Sequence, residues 1–259
     1  TFSTADMAAI RYAAMTGLST ATIASLSSDA IAALNTSAIS ALSTIQLEAF
    51  STSQAEALSS LQVKALSSAQ IGALGTDDLA TFSTADIAAI SYKVAMGFST
   101  EAIASLSTAQ IAALYTSAIA NLTTSQIEAL STAQISSLTS AQVSALRASQ
   151  VAYFDADDIA AFSTDQIPSL SASVIAGLTS DQLEALSTDQ VGALTSAQVK
   201  ALSSAQIAAL GTEDLATFST TDMAAMNYSA MLGLSTDAFA SLSTAQIAAL
   251  STKIGRAHV

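Results

Sequence analysis

Three groups of carboxylates come nearest, by type and spacing, to doing chemistry. They are Asp77 and Asp78 with Asp86, then Asp155, Asp157 and Asp158, then Glu213 and Asp214 with Asp222. Clustered carboxylate oxygens are the ligands that calcium takes, and Asp155, Asp157 and Asp158 form the tightest candidate metal site. Their spacing matches no EF-hand loop, and the glycine on which such a loop turns is missing. The alternative needs no ion, because Asp in the first turn of a helix complements the partial positive charge of the helix N-terminus.

Nucleophilic catalysis has less to work with. The chain has no cysteine and its one histidine, His258, lies in an atypical tail, so the usual nucleophile–base pairs are not available to the repeats. Serine and threonine are plentiful, but they recur at fixed intervals where helix caps belong. No catalytic residue, cofactor or enzymatic activity is expected. Tyr12, Tyr92 and Tyr228, with Met7, Met15, Met223, Met226 and Met231, offer either a contact patch for a protein partner or the packing of helices.

What must position these residues is a tandem repeat. Read in steps of eight from Phe2, the chain gives units such as Leu106–Ala113 (LSTAQIAA), and the phase holds through 32 octads without insertion or deletion. The first position is apolar in all 32, and the sixth is apolar or Ala in 31, Gly255 being the exception. The second is Ser, Thr, Asn, Asp or Gly except at Arg11, Tyr115 and Arg147, and the fifth is Gln or Asp in 21 of 32. Apolar positions kept in such strict phase argue against a disordered chain.

An uninterrupted α-helix would rotate residues eight apart by about 80°, so the Leu stripe would wander off any buried face. A strand would send the two apolar positions, five apart, to opposite faces. The octad instead reads as a helix start. Ser at the second position is an N-cap, Gln three residues later completes a capping box, and the flanking Leu and Ile form a hydrophobic staple. Helices this short are unstable alone, so neighbouring units must bury one another, which is the logic of a solenoid. The expected fold is an all-α solenoid, or superhelix, of very short capped helices, one per eight-residue repeat.

Three segments, Phe2–Gly17, Phe82–Gly97 and Phe218–Gly233, break the rhythm in the same way. Each places Tyr where the second octad would carry its Thr and ends in Gly, and each is expected to form one longer helix closed by a glycine C-cap. Pro168, the only proline, is expected to distort its unit locally. Residues 1–252 read as one continuous array. Lys253–Val259 (KIGRAHV) depart from the consensus and match the translation of a common sequencing adapter, so they are expected to be a read-through tail.

The formal charge is −13; without Lys253 and Arg256, five basic residues face 20 acidic ones, giving −15. That balance repels phosphate backbones and anionic membranes, and Lys64, Lys93, Lys200, Arg11 and Arg147 are too sparse for a nucleic-acid track. No apolar run approaches the roughly 18 residues of a membrane span. The expected partners are neighbouring repeats and at most a protein ligand.

Units such as Leu194–Ala216 (LTSAQVKALSSAQIAALGTEDLA) resemble the octad arrays of very large proteobacterial secreted or surface proteins of adhesin-like or haem-utilisation-like type. The resemblance covers residues 2 to 252 and implies a stalk or scaffold outside the cell, without assigning any functional residue. The octad is also similar to the L-T-P-x-Q-V-V-A opening of transcription-activator-like DNA-binding repeats. Their second helix and basic face are absent here, and capping chemistry accounts for the likeness.

Overall fold

A computed structural model describes residues 3–254, with side chains from 3 to 250. Among these residues it contains thirty α-helices and one 3-10 helix and no strand. Most helices have four to six residues, and they fall one to an octad.

One octad, Leu130–Ser137, shows why the chain folds this way. Ser131 adopts an extended backbone (φ −79°, ψ 158°) that ends the previous helix and starts Thr132–Ser136. Its hydroxyl accepts from the Gln134 N–H at 3.3 Å, and its own N–H donates to Gln134 Oε1 at 2.8 Å. Ile135 N–H closes the first helical turn on the Ser131 carbonyl. The staple residues Leu130 and Ile135 are buried, and the octad's outward positions are exposed.

A helix leaves its first N–H groups and last C=O groups unpaired, and a five-residue helix is nearly all ends. The capping box serves the N–H groups. The carbonyls are served from a different turn. Gln134 Nε2 donates to the carbonyls of Ile103 and Leu106, at 2.8 and 2.7 Å, 31 and 28 residues earlier. The same two-pronged clamp is made by Gln46, Gln54, Gln62, Gln70 and Gln110 in the first part of the chain, and by Gln182, Gln198 and Gln206 in the second. Every glutamine of the chain occupies the fifth octad position, and every one is buried. No buried side-chain nitrogen or oxygen among the described residues lacks a hydrogen-bond partner.

The chain packs as two compact units, Thr1–Ser137 and Leu138–Val259. Within each, a helix packs against the third helix along: Ser60–Lys64 on Thr84–Ala89 in the first unit, Ala172–Gly177 on Ser196–Ala201 in the second. With the clamp reaching back 28 residues, each turn of the winding holds between three and four octads. First-position side chains are sealed from Leu34 to Met226, and sixth-position side chains from Met7 to Met223.

The three longer helices expected from the Tyr-containing segments do not form. Each segment is two helices: Thr4–Ala8 and Tyr12–Met15, Thr84–Ala89 and Tyr92–Ala95, Thr220–Ala225 and Tyr228–Met231. The breaks fall at Arg11, Ser91 and Asn227, all extended. A continuous helix would carry Ile90 and Met226, both fully buried, off the inner face, so burial of the first position wins over the missing Thr. The one long helix is Thr244–Ile254, which runs through the last cap position, where the next fifth-position residue is Ile rather than Gln or Asp. The expected tail falls partly on that helix backbone, and its residues 255–259 lie outside those described. Pro168, with no N–H to give, does distort its unit: a 3-10 helix, Ile167–Ser169, replaces the α-helix.

The segment-ending glycines also act differently from the expected C-cap. No glycine among the described residues has a positive φ. A Cβ on Gly97 would lie 1.9 Å from the Ser68 carbonyl oxygen, and one on Gly233 would lie 2.0 Å from that of Ser204. These glycines let consecutive turns touch backbone to backbone. Gly17 has no preceding turn within the chain and meets nothing closer than 3.7 Å. Gly97→Ala and Gly233→Ala should therefore destabilise by at least the 1–3 kcal/mol, roughly, that overpacking costs. Gly17→Ala should be neutral or stabilising by about 0.4–1 kcal/mol. Denaturant melts of the three variants check the ordering, and equal losses at all three positions would contradict the close-approach account.

Candidate functional site

The residues singled out for chemistry are placed by the octad. Asp155 is the N-cap of Ala156–Ala160: its carboxylate accepts the Asp158 N–H at 2.9 Å, while Asp158 Oδ2 accepts the Asp155 N–H at 3.2 Å. Asp157 is an exposed first-turn residue. Two of the three candidate calcium ligands thus spend oxygens on each other's backbone. Among the described residues no group of three or more His, Cys, Asp or Glu side chains is gathered as a metal site.

The remaining acids divide by what they can reach. Asp6, Asp78, Asp86, Asp158, Asp214 and Asp222 occupy the glutamine position. A carboxylate accepts the cap N–H as glutamine does, but it is shorter and carries no N–H to donate to the preceding turn. Asp86 and Asp222 each take a hydroxyl from that turn instead, Ser60 and Ser196 at 2.6 Å, and Asp214 takes Thr188 at 2.9 Å. Asp78 accepts the Gly75 N–H at 3.2 Å, and burial pushes its carboxyl above the usual range, with the neighbouring Asp77 charge adding to the shift. Burial also raises Asp158, helped by the charges of Asp155 and Asp157. Asp6 and Glu101 are lowered, Asp6 by the Ser3 hydroxyl and N–H and Glu101 by its own N–H and the hydroxyls of Ser99 and Thr100.

Sequence reasoning missed a second clamp. Where the fifth position is Ala38 or Ala230, the cap itself is asparagine. Asn35 Nδ2 donates to the carbonyls of Ala8 and Ile10, and Asn227 Nδ2 to those of Lys200 and Leu202, 2.8–3.2 Å away. The signal was the pairing of Asn with Ala in the same octad.

Tyr12, Tyr92 and Tyr228 are each the first residue of a helix and are exposed, as are Tyr115 and Tyr153. The use of these tyrosines as core packing is therefore overturned: the third octad position faces outward. Met7, Met15, Met223 and Met226 are core, and Met231 is half-buried. Tyr92 lies one helical turn before exposed Met96, and Tyr228 before exposed Leu232. Tyr228 and Leu232 border a groove of about 600 Å³ with Met231, Leu234 and Phe239. A smaller groove, about 460 Å³, runs between Leu61, Lys64, Ala88 and Tyr115. No helix among the described residues is long and apolar enough to cross a membrane.

Asp78 generates a test. At neutral pH it is a buried carboxylate in a place designed for an amide. Its folded pKa is raised, so the stability it contributes is fully present below the ordinary carboxyl range and is lost as pH rises through the folded value. Asp78→Gln should remove that penalty and supply donors to the carbonyls one turn back. We expect a gain at neutral pH of about 1 kcal/mol, the usual net worth of a hydrogen bond, with the advantage shrinking in acid. Melts of both proteins at pH 3 and pH 7 measure it, and a neutral-pH loss would refute the assignment.

The octad pattern has a counterpart among known families. A family model described as the ALTTAQ repeat matches five stretches, residues 44–76, 96–124, 119–155, 159–196 and 188–220. The family's six letters correspond to Ala193–Gln198 (ALTSAQ) and its equivalents, which span the apolar staple, the cap and the clamping glutamine. No curated protein matches the chain. With more than half of its length matched, and its helices repeating the same packed unit, the chain belongs to the ALTTAQ repeat family as a tandem-repeat structural module.

Proposed function

We propose that this module is a non-enzymatic spacer or scaffold segment of a large bacterial secreted or surface protein. The observation that carries this reading is where the reactive side chains go. Serine hydroxyls, glutamine amides and fifth-position carboxylates are engaged in capping and clamping the array's own backbone. A chain that uses its polar groups to hold its own turns together is suited to setting distance, and repeats that contact only near neighbours can be lengthened without redesign. The acidic balance keeps such a segment soluble and away from nucleic acid and anionic lipid.

The second reading is a protein- or peptide-binding scaffold, favoured by the exposed pairs Tyr92–Met96 and Tyr228–Leu232. A calcium-stabilised adhesin segment has the weaker support of the Asp155–Asp158 cluster alone. Antibodies against the array, applied to intact and lysed cells of the producing bacterium, test the location. Labelling of intact cells or of the medium fits the proposal, and a signal only after lysis overturns it.

Two further outcomes separate the readings. Thermal melts in calcium and in EDTA should coincide, and a calcium-dependent rise of several degrees would install the acidic cluster as a site. The double variant Tyr92→Ser, Tyr228→Ser should melt within about 0.5 kcal/mol of the parent, as exposed substitutions do. If it also loses a bound protein, the scaffold reading replaces the spacer.

A further inference from the structure

Amide clamps are dense on either side of one place in the first unit and missing from it. Before it, four successive octads carry Gln46, Gln54, Gln62 and Gln70, each reaching back to the preceding turn. After it, Gln110 holds the carbonyls of Leu79 and Phe82, Gln126 that of Phe98, and Gln134 those of Ile103 and Leu106. Between them, residues 74–105 form four octads whose fifth residues are Asp78, Asp86, Val94 and Ala102. At neutral pH none of these side chains has a proton to donate, and the caps Gly75, Ser83, Ser91 and Ser99 include no asparagine. In the second unit, residues 210–241 also lack glutamine at the fifth position, but there Asn227 keeps a clamp.

The unclamped joint is also thinly packed. In it, Thr76–Ala80, Thr84–Ala89 and Tyr92–Ala95 rest on Thr52–Glu56, Ser60–Lys64 and Ser68–Ala73. Alanine takes the sixth octad position at only two places in the chain, Ala55 and Ala95, and both lie in these six helices. The 460 Å³ groove opens along the same joint, with Leu61 and Lys64 on one side and Ala85, Ala88 and Ala89 on the other. Crossing the joint are a hydroxyl bond, Ser60 to Asp86 at 2.6 Å, and the close approach of Gly97 to the backbone of Ser68 and Gly72. One such bond stands where four glutamines would donate to carbonyls of the turn before.

We infer that this joint is a built-in point of opening in the first unit: the turns part here while the clamped joints on either side stay closed. In an array whose stability is a sum over neighbouring turns, the joint with the fewest bonds and the least buried bulk opens first. Burial of the remaining staple residues still favours the closed form, so the open form is a minor and reversible population. In a spacer, tension would lengthen the chain here before any other joint of the unit, but the opening itself does not depend on that role.

Because the chain has no cysteine, one introduced thiol reports on one place. Ala102 and Ala118 are both buried alanines at fifth positions, Ala102 in the bare run and Ala118 between the octads of Gln110 and Gln126. Ala102→Cys and Ala118→Cys are each treated with dilute N-ethylmaleimide under native conditions, where modification follows the open population. A net hydrogen bond shifts such a population about fivefold, so Ala102→Cys should react roughly tenfold faster or more. Val94→Gln, added to each, places an amide at the spacing that reaches the carbonyls of Val63 and Leu66. It should slow Ala102→Cys about fivefold or more and leave Ala118→Cys unchanged. A thiol at Ala102→Cys that reacts no faster than the one at Ala118→Cys overturns the proposal. So does a rate that Val94→Gln fails to lower, or a slowing that is equal at both positions. If Val94→Gln loses the helical spectrum, Asp78→Gln takes its place, with the same outcomes required.

Discussion

Helices of five residues have no interior, so the fold depends on how their ends are satisfied. One side chain meets that constraint from both directions. The glutamine at the fifth octad position accepts the N–H of its own cap through Oε1 and donates through Nε2 to two carbonyls that end a helix 28 to 31 residues earlier. Each such amide ties the start of one helix to the end of another and sets the separation between turns. The apolar staple fills the space between turns, but burial is non-directional; the amide gives the stacking its register.

The places where glutamine is absent follow the same rule. Aspartate keeps the cap and gives up the donors, and three of the six such residues recruit a Ser or Thr hydroxyl across the turn instead. Asparagine at the cap restores the donors from another position when the fifth residue is alanine. The block Phe82–Gly97, with Asp86 and Val94 at its fifth positions, carries no amide there and brings Gly97 against the Ser68 backbone instead. Stability along such an array is a sum over neighbouring turns, and these substitutions vary that sum from turn to turn.

Much of this was legible in the sequence, because the repeat phase states which residues share an environment. The capping box and the staple follow from Ser131, Gln134, Leu130 and Ile135 and their copies, and the short helices follow from them. The turn-to-turn joint was not legible, since nothing in an eight-residue unit states how many units complete a turn. One clue was present: a capping box accepts Glu as readily as Gln, yet no Glu occupies the fifth position, which points to a need for the amide donors. The longer helices were misread because Tyr12, Tyr92 and Tyr228 replaced a residue common in the first turn, while the first-position burial of Ile90 and Met226 acts over a longer range. The glycines were misread for a related reason, their partners Ser68 and Ser204 lying 29 residues away. At the candidate sites, the capping role of Asp155 and Asp158 was readable from position alone, whereas the outward aim of the tyrosines needed the winding.

A spacer role sits easily with an array whose polar chemistry is turned inward on its own backbone, and the account stands or falls with the clamp across turns. The most direct measurement is native-state hydrogen exchange of the Gln134→Met variant, which keeps the bulk of the side chain and removes its amide. The account predicts faster exchange both in Thr132–Ser136 and in the helix Thr100–Ser105 with Leu106, whose last carbonyls the amide holds. Faster exchange confined to Thr132–Ser136 would show that glutamine acts only as a local cap, and would contradict the claim that it holds the turns together.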